Sequence, residues 1–493
     1  MQSIELTGQA LSPEQVTEIA QQGARARIAP EALAHAAEAA ELAGRIANRQ
    51  PVYGRTTGVG ANRTQRVADG DLDHGLRLLR SHAGGIGRLV PADGVRAMLA
   101  VRANQLLAGG AGLRPAIIEA IVAALNGGAL PPIHEYGGLG TADLTALAEL
   151  GLALAGELPW RTGDAASAAD IPASIQITSG DALALMSSSA LTIGRACLAW
   201  REARRCVDAA HSIAVLTFLA LDGSAEPFAE PVHRRRPHPG TLRAAALLRG
   251  LLAGQSNKAA RIQDPYALRC IPQVHGAALS ALESVGQVLR VELNAANENP
   301  LISVEDEAFF HNGGFHHALL TQSLDALNLA LLSVGQLSLA RLDLTFQPEF
   351  TGLRPFLADG EPASSGVMIL ENAAHDALSE LRNAAMPAGL GHATLSRGVE
   401  DHTPFTSQAA RQTARAADAL KLVLATELVA AVRTLRLRGT TPAPDTPLGR
   451  LYALAEVLDP DTADRAPSPD VELAVSLLPQ YAALAAGLET SQR

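Results

Sequence analysis

Several short stretches of this chain carry side chains able to do chemistry together. Tyr53 lies in a glycine-rich turn, VYGRTTGVGAN, at residues 52–62. A phenol takes a proton only where nearby positive charge or hydrogen-bond donors lower its pKa. Otherwise such a tyrosine packs over its turn. Ser81 and His82 stand together in LLRSHAGGIG, where His82 offers an imidazole to a substrate or a hydrogen bond within its helix. The string QDPYALRCIPQVHG, residues 263–276, holds Tyr266 and Arg269. A guanidinium fork suits a carboxylate, and a buried arginine needs an anionic partner. Further polar candidates are Ser179 and Asp181 in ITSGDA, Phe315 in GGFH, Arg382 in SELR and Glu400 in VEDH. The turn GGLGTADL, residues 137–144, adds Gly140, Thr141, Ala142 and Asp143. His311, His316 and His317 cluster in sequence, and Glu371 and His375 are spaced i,i+4, but no cysteine pair or HExxH accompanies them. No metal site is expected.

These residues must be held by helices. Alanine is abundant, aromatics are only 3%, and apolar residues recur at three- and four-residue spacing. The pattern predicts long helices over residues 181–209, 274–294, 316–342 and 406–436. Leu319, Leu324, Leu327, Leu331 and Val334 form one apolar stripe, widened by Leu320 and Leu332, which suits a bundle interior or a subunit interface. A short strand at residues 3–6 precedes a helix opened by Ser12, Pro13 and Gln15, a capping box. Glycine and proline mark loops at 54–60, 131–140, 236–240 and 347–365, and GTTPAPDTP reads as a linker before a last helical piece. The fold expected is mainly α, with an N-terminal head over residues 1–200 carrying the GGLGTADL loop and a long-helix core over residues 201–493.

In order along the chain, these stretches resemble the motifs of the histidine and aromatic amino acid ammonia-lyases. The turn at Tyr53 is similar to that family's YGxNTGFG, LLRSHAGGIG to NLxxSHAAGxG, and QDPYALRCIPQVHG to QDPYSLRCxPQVxG. AANENPL is similar to SDNPL, GGFH to GGNFH, SELR to SENK, and VEDH to QEDH. The resemblance implies the family's fumarase/aspartase-like helical fold and a homotetramer whose sites are built from more than one subunit. It implies Tyr53 as the base that takes the substrate's β-proton, Arg269 as the carboxylate clamp, and Tyr266 facing the substrate amine. His82 and Glu400 match positions that the histidine-specific branch directs at the substrate ring.

One departure decides the functional reading. The family loop GSVGASGDL cyclises its Ala-Ser-Gly into a methylidene-imidazolone electrophile, whereas GGLGTADL is one residue shorter and lacks that triad. An alignment of Gly140-Thr141-Ala142 on the cyclising positions supplies a hydroxyl but puts a Cβ beside the attacking nitrogen. The family's LxNGTQ reads ITSGDA, so Ser179 stands at an asparagine position and Asp181 follows Gly180. Gly314 replaces another asparagine, and Arg382 replaces a lysine. Asp181 and Arg382 are the expected distinguishing substrate contacts. The expected cofactor is none, and the expected reaction is an electrophile-independent carbon–nitrogen elimination from a histidine-like α-amino acid derivative. Without the electrophile, stabilisation of the transition state must come from elsewhere. A quaternary ammonium betaine, as used by ergothionase in this superfamily, brings its own leaving group. The alternatives are a biosynthetic cyclase, mutase or transferase on the same scaffold, or an inactive homologue. Retention of Tyr53 and Arg269 favours an enzyme.

Composition narrows the partners. A net charge of −10 argues against general nucleic-acid binding. Three cysteines form no disulfide framework, and Lys258 and Lys421 are the only lysines. No charge-free apolar run of membrane length and no secretion leader are read in the sequence, so a small-molecule enzyme in the cytoplasm is expected.

Overall fold

A computed structural model describes residues 3–68, 70–162, 171–255 and 258–491. The chain divides into two compact units, Met1–Arg201 with Gly286–Leu324 and Ala388–Arg411, and Glu202–Val285 with Asp325–Pro387 and Gln412–Arg493.

The first unit begins with the parallel pair Ser3–Leu6 and Arg25–Ile28, joined through the helix Pro13–Gln21. That helix starts as its sequence dictates: Ser12 Oγ accepts from Gln15 N–H, and Gln15 Oε1 accepts from Ser12 N–H. The helix Ala92–Leu107 is the unit's centre, with Val95, Met98, Leu99 and Val101 fully buried. It also buries Arg102, whose Nη1 donates to Glu298 Oε1 at 2.9 Å and whose Nε donates to the Leu185 carbonyl at 3.0 Å. Antiparallel pairs of two to four residues per strand tie down the loops. His134–Tyr136 lies against Ile86–Leu89, and Leu301–Ser303 lies against Ala308–Phe310.

The helix predicted from residue 181 to 209 is instead two helices, Ser179–Met186 and Ala190–Ala220. The break is Ser187-Ser188-Ser189, whose polar groups serve other segments. Ser187 Oγ accepts from Asn299 N–H at 3.0 Å, Ser188 Oγ donates to Gln105 at 2.6 Å, and the Ser188 carbonyl accepts from Asp143 N–H at 2.7 Å. Serine hydroxyls compete with the helix ladder in this way. The predicted helices at 274–294, 316–342 and 406–436 are found at Ile271–Leu293, Ala318–Thr345 and Thr406–Leu437.

The second unit is helical throughout its core. Arg341 and Glu427 are fully buried there, with Nε to Oε1 at 2.6 Å and Nη2 to Oε2 at 2.9 Å. Thr217 donates to Glu427 at 2.7 Å, so the buried carboxylate is compensated by both charge and hydrogen bonds. His211 and His275 pack edge to face beside this network at 4.6 Å between ring centroids.

No charge-free apolar run of membrane length is present in the sequence, but among the described residues three helical stretches that include charged residues reach membrane-span length and apolarity: Ser179–Ala220, Ala318–Thr345 and Ser468–Leu488. The apolar window of the first is 89% buried within the protein, that of the second 56% and that of the third 33%.

Candidate active site

The site forms where four loops of the first unit meet. Residues 52–57 turn tightly, with Arg55 and Thr56 N–H groups both donating to the Val52 carbonyl. This brings the Tyr53 phenol back over its own loop, where its oxygen accepts from Gly60 N–H at 2.7 Å. Gly60 has φ +54°, and a Cβ there would stand 2.5 Å from Ser396 Oγ, so only glycine brings this amide to the phenol. Ser396 Oγ accepts from the next amide, Ala61 N–H, at 3.0 Å. The 395–402 loop is thereby fixed to the Tyr53 loop, and its own hairpin closes through Leu395 and Glu400.

Together these loops enclose a cavity of about 730 Å3. Its wall includes Tyr53, Arg63, His82, Thr141, Ala142 and Glu400, with Phe315 and three further imidazoles, His311, His316 and His402. Burial pushes the Tyr53 phenol above its ordinary pKa and Glu400 adds to this, while the Gly60 N–H and the Arg63 charge oppose both. His82 is oriented by its helix, with Nδ1 2.9 Å from the Leu78 carbonyl. A carbonyl only accepts, so Nδ1 is the donor in this contact.

The loop 139–143 is held on every side. Phe405 N–H donates to the Leu139 carbonyl at 2.7 Å, and His317 N–H donates to the Gly140 carbonyl at 3.3 Å. Gly140 has φ +93°, and a Cβ there would meet Thr406 N at 2.7 Å. Ala142 also takes a positive φ, 90°, unusual for alanine, and its N–H donates to Ser189 Oγ at 3.2 Å. Asp143 is buried behind the loop, where Thr192 N–H and Oγ1–H reach its carboxylate at 2.7 and 2.8 Å. Burial raises the pKa of this carboxyl.

Other candidates are not brought to this cavity. Ser179 begins the helix Ser179–Met186 and lies outside the lining. Asp181, expected to contact substrate, is 2% exposed and committed elsewhere. It closes a capping box with Thr178 and takes a salt bridge from Arg114 at 2.5 Å. The Thr-x-x-Asp spacing carried that signal in the sequence. Tyr266, Arg269 and Arg382 belong to the second unit. Tyr266 is 69% exposed, and the Arg269 guanidinium stacks over its ring at 4.6 Å. With its amide oxygen turned inward, Gln263 accepts from both terminal nitrogens of Arg269 at 2.6 and 2.7 Å. No carboxylate among the described residues pairs with Arg269. Arg382 is exposed on the helix Ile369–Ala384.

Sequence reasoning did not single out Arg63, Ser187, Ser189 or His402 for this site. The three consecutive serines inside an apolar helical run were the available signal. Among the described residues no group of three or more His, Cys, Asp or Glu side chains is arranged to hold a metal ion.

Residues 11–456 match the family model described as aromatic amino acid lyase. The chain is 35% identical over 454 residues to histidine ammonia-lyase from Geobacillus kaustophilus, covering 89% of each sequence. Its fold superposes on ergothionase from Treponema denticola, an ergothioneine-degrading enzyme, with a TM-score of 0.90 and 25% identity, over 98% of this chain and 99% of that one. Phenylalanine aminomutase from Pantoea agglomerans gives a TM-score of 0.91 at 26% identity, over 97% and 99%. The chain belongs to the aromatic amino acid lyase family and has its helical lyase fold.

Proposed function

We propose that this lyase eliminates an amine from a histidine-like α-amino acid derivative, without a methylidene-imidazolone, and that a betaine bearing a quaternary amine is its best substrate. The observation that carries the reading is the Tyr53 oxygen, held by Gly60 N–H at 2.7 Å in the cavity that also presents Thr141, His82 and Glu400. Tyr53 takes the β-proton, and the C–N bond then breaks with its electron pair leaving on nitrogen. The backbone donor on the phenol oxygen favours the phenolate that this step needs.

The loop residues do not fit the family's electrophile. Ring closure needs a free, unhindered amide nitrogen at the third position. Ala142 brings a Cβ, and its N–H is given to Ser189. The Gly140 carbonyl is likewise occupied by His317 N–H. No step is therefore routed through such a ring. A trimethylammonium group compensates, because it departs as a neutral amine with no prior activation. His82 and Glu400 receive the ring of the substrate, with Phe315 in the same wall. Arg269, which has no carboxylate partner among the described residues, is the candidate for the substrate carboxylate, and Tyr266 stacks beside it. The reading includes a cytoplasmic homotetramer without bound metal. Exposed apolar side chains such as Val291, Leu319, Leu329, Met386 and Leu390 favour assembly.

The aminomutase likeness supports one second reading, in which the amine is returned to the neighbouring carbon. Intact mass and product analysis separate the possibilities. The expected result is an unmodified mass, with trimethylamine and an unsaturated acid formed from L-histidine betaine. A mass lower by two waters restores the ordinary ammonia-lyase, and a β-amino acid product establishes the mutase.

A further inference from the structure

Two hydroxyls in the cavity wall have no internal group to donate to. Ser187 is 5% exposed and lines the cavity. Its Oγ accepts from Asn299 N–H at 3.0 Å. An amide N–H only donates, so the hydroxyl hydrogen of Ser187 points elsewhere, and no acceptor among the described residues lies within hydrogen-bonding distance of it. Thr141 lines the same cavity, and its hydroxyl has no hydrogen-bond partner among the described residues. The segments that carry the two hydroxyls are bonded to one another. Ala142 N–H donates to Ser189 Oγ at 3.2 Å, and Asp143 N–H donates to the Ser188 carbonyl at 2.7 Å. Thr141 and Ser187 therefore enter the cavity from neighbouring segments of fixed relative position.

We propose that Ser187 and Thr141 form a carboxylate subsite of this cavity, each donating its hydroxyl hydrogen to an oxygen of the substrate carboxylate. The inference rests on reading this cavity as the lyase site. The charges of the lining favour that direction. Glu400 and Asp401 are its two carboxylates, and Arg63 is its one arginine or lysine among the described residues. The two acidic groups repel a substrate carboxylate and attract a cationic or N–H-bearing group, so the carboxylate is directed to the part of the wall that offers neutral donors. A hydrogen bond to an ionised acceptor is stronger than one between neutral groups. Ser187 already accepts an amide hydrogen, which polarises its own O–H toward donation. A carboxylate has two oxygens and about four acceptor sites, enough for both hydroxyls and for the Arg269 fork. Holding it at two fixed points orients the adjoining carbons toward Tyr53. Ser187 also borders a smaller recess with Glu298 and Asn299, and the experiment separates the two directions its hydrogen can take.

The test uses the full chain in a Tyr53→Phe background, so that binding is read without turnover. Calorimetric titration compares L-histidine betaine with a ligand that keeps its ring and cation but lacks the carboxylate, histamine trimethylated on its amine. Ser187→Ala and Thr141→Val should each weaken the betaine about tenfold or more and leave the trimethylated histamine within about twofold. Thr141→Ser keeps the hydroxyl and should bind the betaine nearly as the parent does. Both ligands meet the same protein sample, so a damaged fold lowers both affinities, whereas a lost carboxylate contact lowers only one. Thr141 makes no internal side-chain hydrogen bond, so its variant reads the subsite even where Ser187→Ala loosens Asn299. An unchanged betaine affinity in either folded variant, equal losses for the two ligands, or no betaine binding to the parent overturns the proposal. If the wild type releases no trimethylamine while the carboxylate-dependent loss stands, the lyase reading falls and the subsite survives.

Discussion

Tyr53 and Gly60 are joined by a hydrogen bond in which the backbone N–H donates to the phenol oxygen at 2.7 Å. The donor is seven residues along the chain, so one loop supplies both the candidate base and a group that stabilises its anion. Burial works against that anion and raises the phenol pKa. The reactive form is the deprotonated one, so kcat/KM should rise with pH through the neutral range and on into alkaline conditions. Tyr53→Phe should lower kcat by about 100- to 10,000-fold, the usual span for removing a positioned base. A pH profile that is flat from neutral to alkaline would exclude Tyr53 as that base.

Arg63 supplies the opposing charge that lowers the Tyr53 pKa from the cavity wall. Arg63→Gln should displace the alkaline limb of the profile to higher pH and reduce the rate at a fixed neutral pH. Because Arg63 is solvent-exposed, the effect should be modest and should shrink as salt is added. Arg63→Lys keeps the charge and should restore most of the rate.

The buried imidazoles of the second unit predict an acid transition. Burial lowers His211 to about 4 and holds His275 well below its ordinary value. Both are neutral in the folded protein, while the unfolded chain binds protons on them below about pH 6.5. Stability from this source is complete above that pH and is lost as pH falls toward 4. His211 alone should cost roughly 2 kcal/mol by about pH 5. His211→Gln should flatten the fall in Tm between neutral and mildly acidic buffer, and an unchanged slope would remove His211 as its cause.

Much of the site was legible because its chemistry is written in contiguous strings. Tyr53, His82, Phe315 and Glu400 all line the cavity, each from a short contiguous string of polar and glycine residues. The Ser12 cap and the strand at residues 3–6 follow from local rules and appear where the sequence puts them. Asp181 misled because its carboxylate answers a local need, the open N-terminus of a helix, and then an ion pair with Arg114, 67 residues away. That pairing depends on tertiary contact, which spacing alone does not encode. The break at 187–189 has the same origin. Its serines serve Gln105, Ala142, Asp143 and Asn299, and no local propensity announces those partners.

Arg341 and Glu427 test how the second unit is held. Both are fully buried and doubly hydrogen-bonded. Arg341→Met strands the Glu427 carboxylate and should destabilise the protein by about 3–5 kcal/mol. Adding Glu427→Leu removes the stranded charge and should recover much of that loss. Thermal melts of the single and double variants read this directly, and additive losses would show that the pair is not coupled.

The loop at Ala142 carries the last prediction. Its φ of 90° is one that alanine adopts only under constraint, here from the N–H bond to Ser189 and the flanking anchors at Leu139, Gly140 and Asp143. A left-handed alanine costs roughly 1–2 kcal/mol, and glycine is free of that penalty. Ala142→Gly should therefore raise Tm, whereas Ser189→Ala should lower it by removing the acceptor from a buried amide. The same two changes together unhinder the nitrogen and release its hydrogen, two of the obstacles to ring closure, the hydrogen bond on the Gly140 carbonyl being the third. The wild type should show the unmodified mass. Partial loss of two waters in the double variant alone would show that these obstacles keep the loop open. The same loss in the wild type would mean that neither Ala142 nor Ser189 prevents closure.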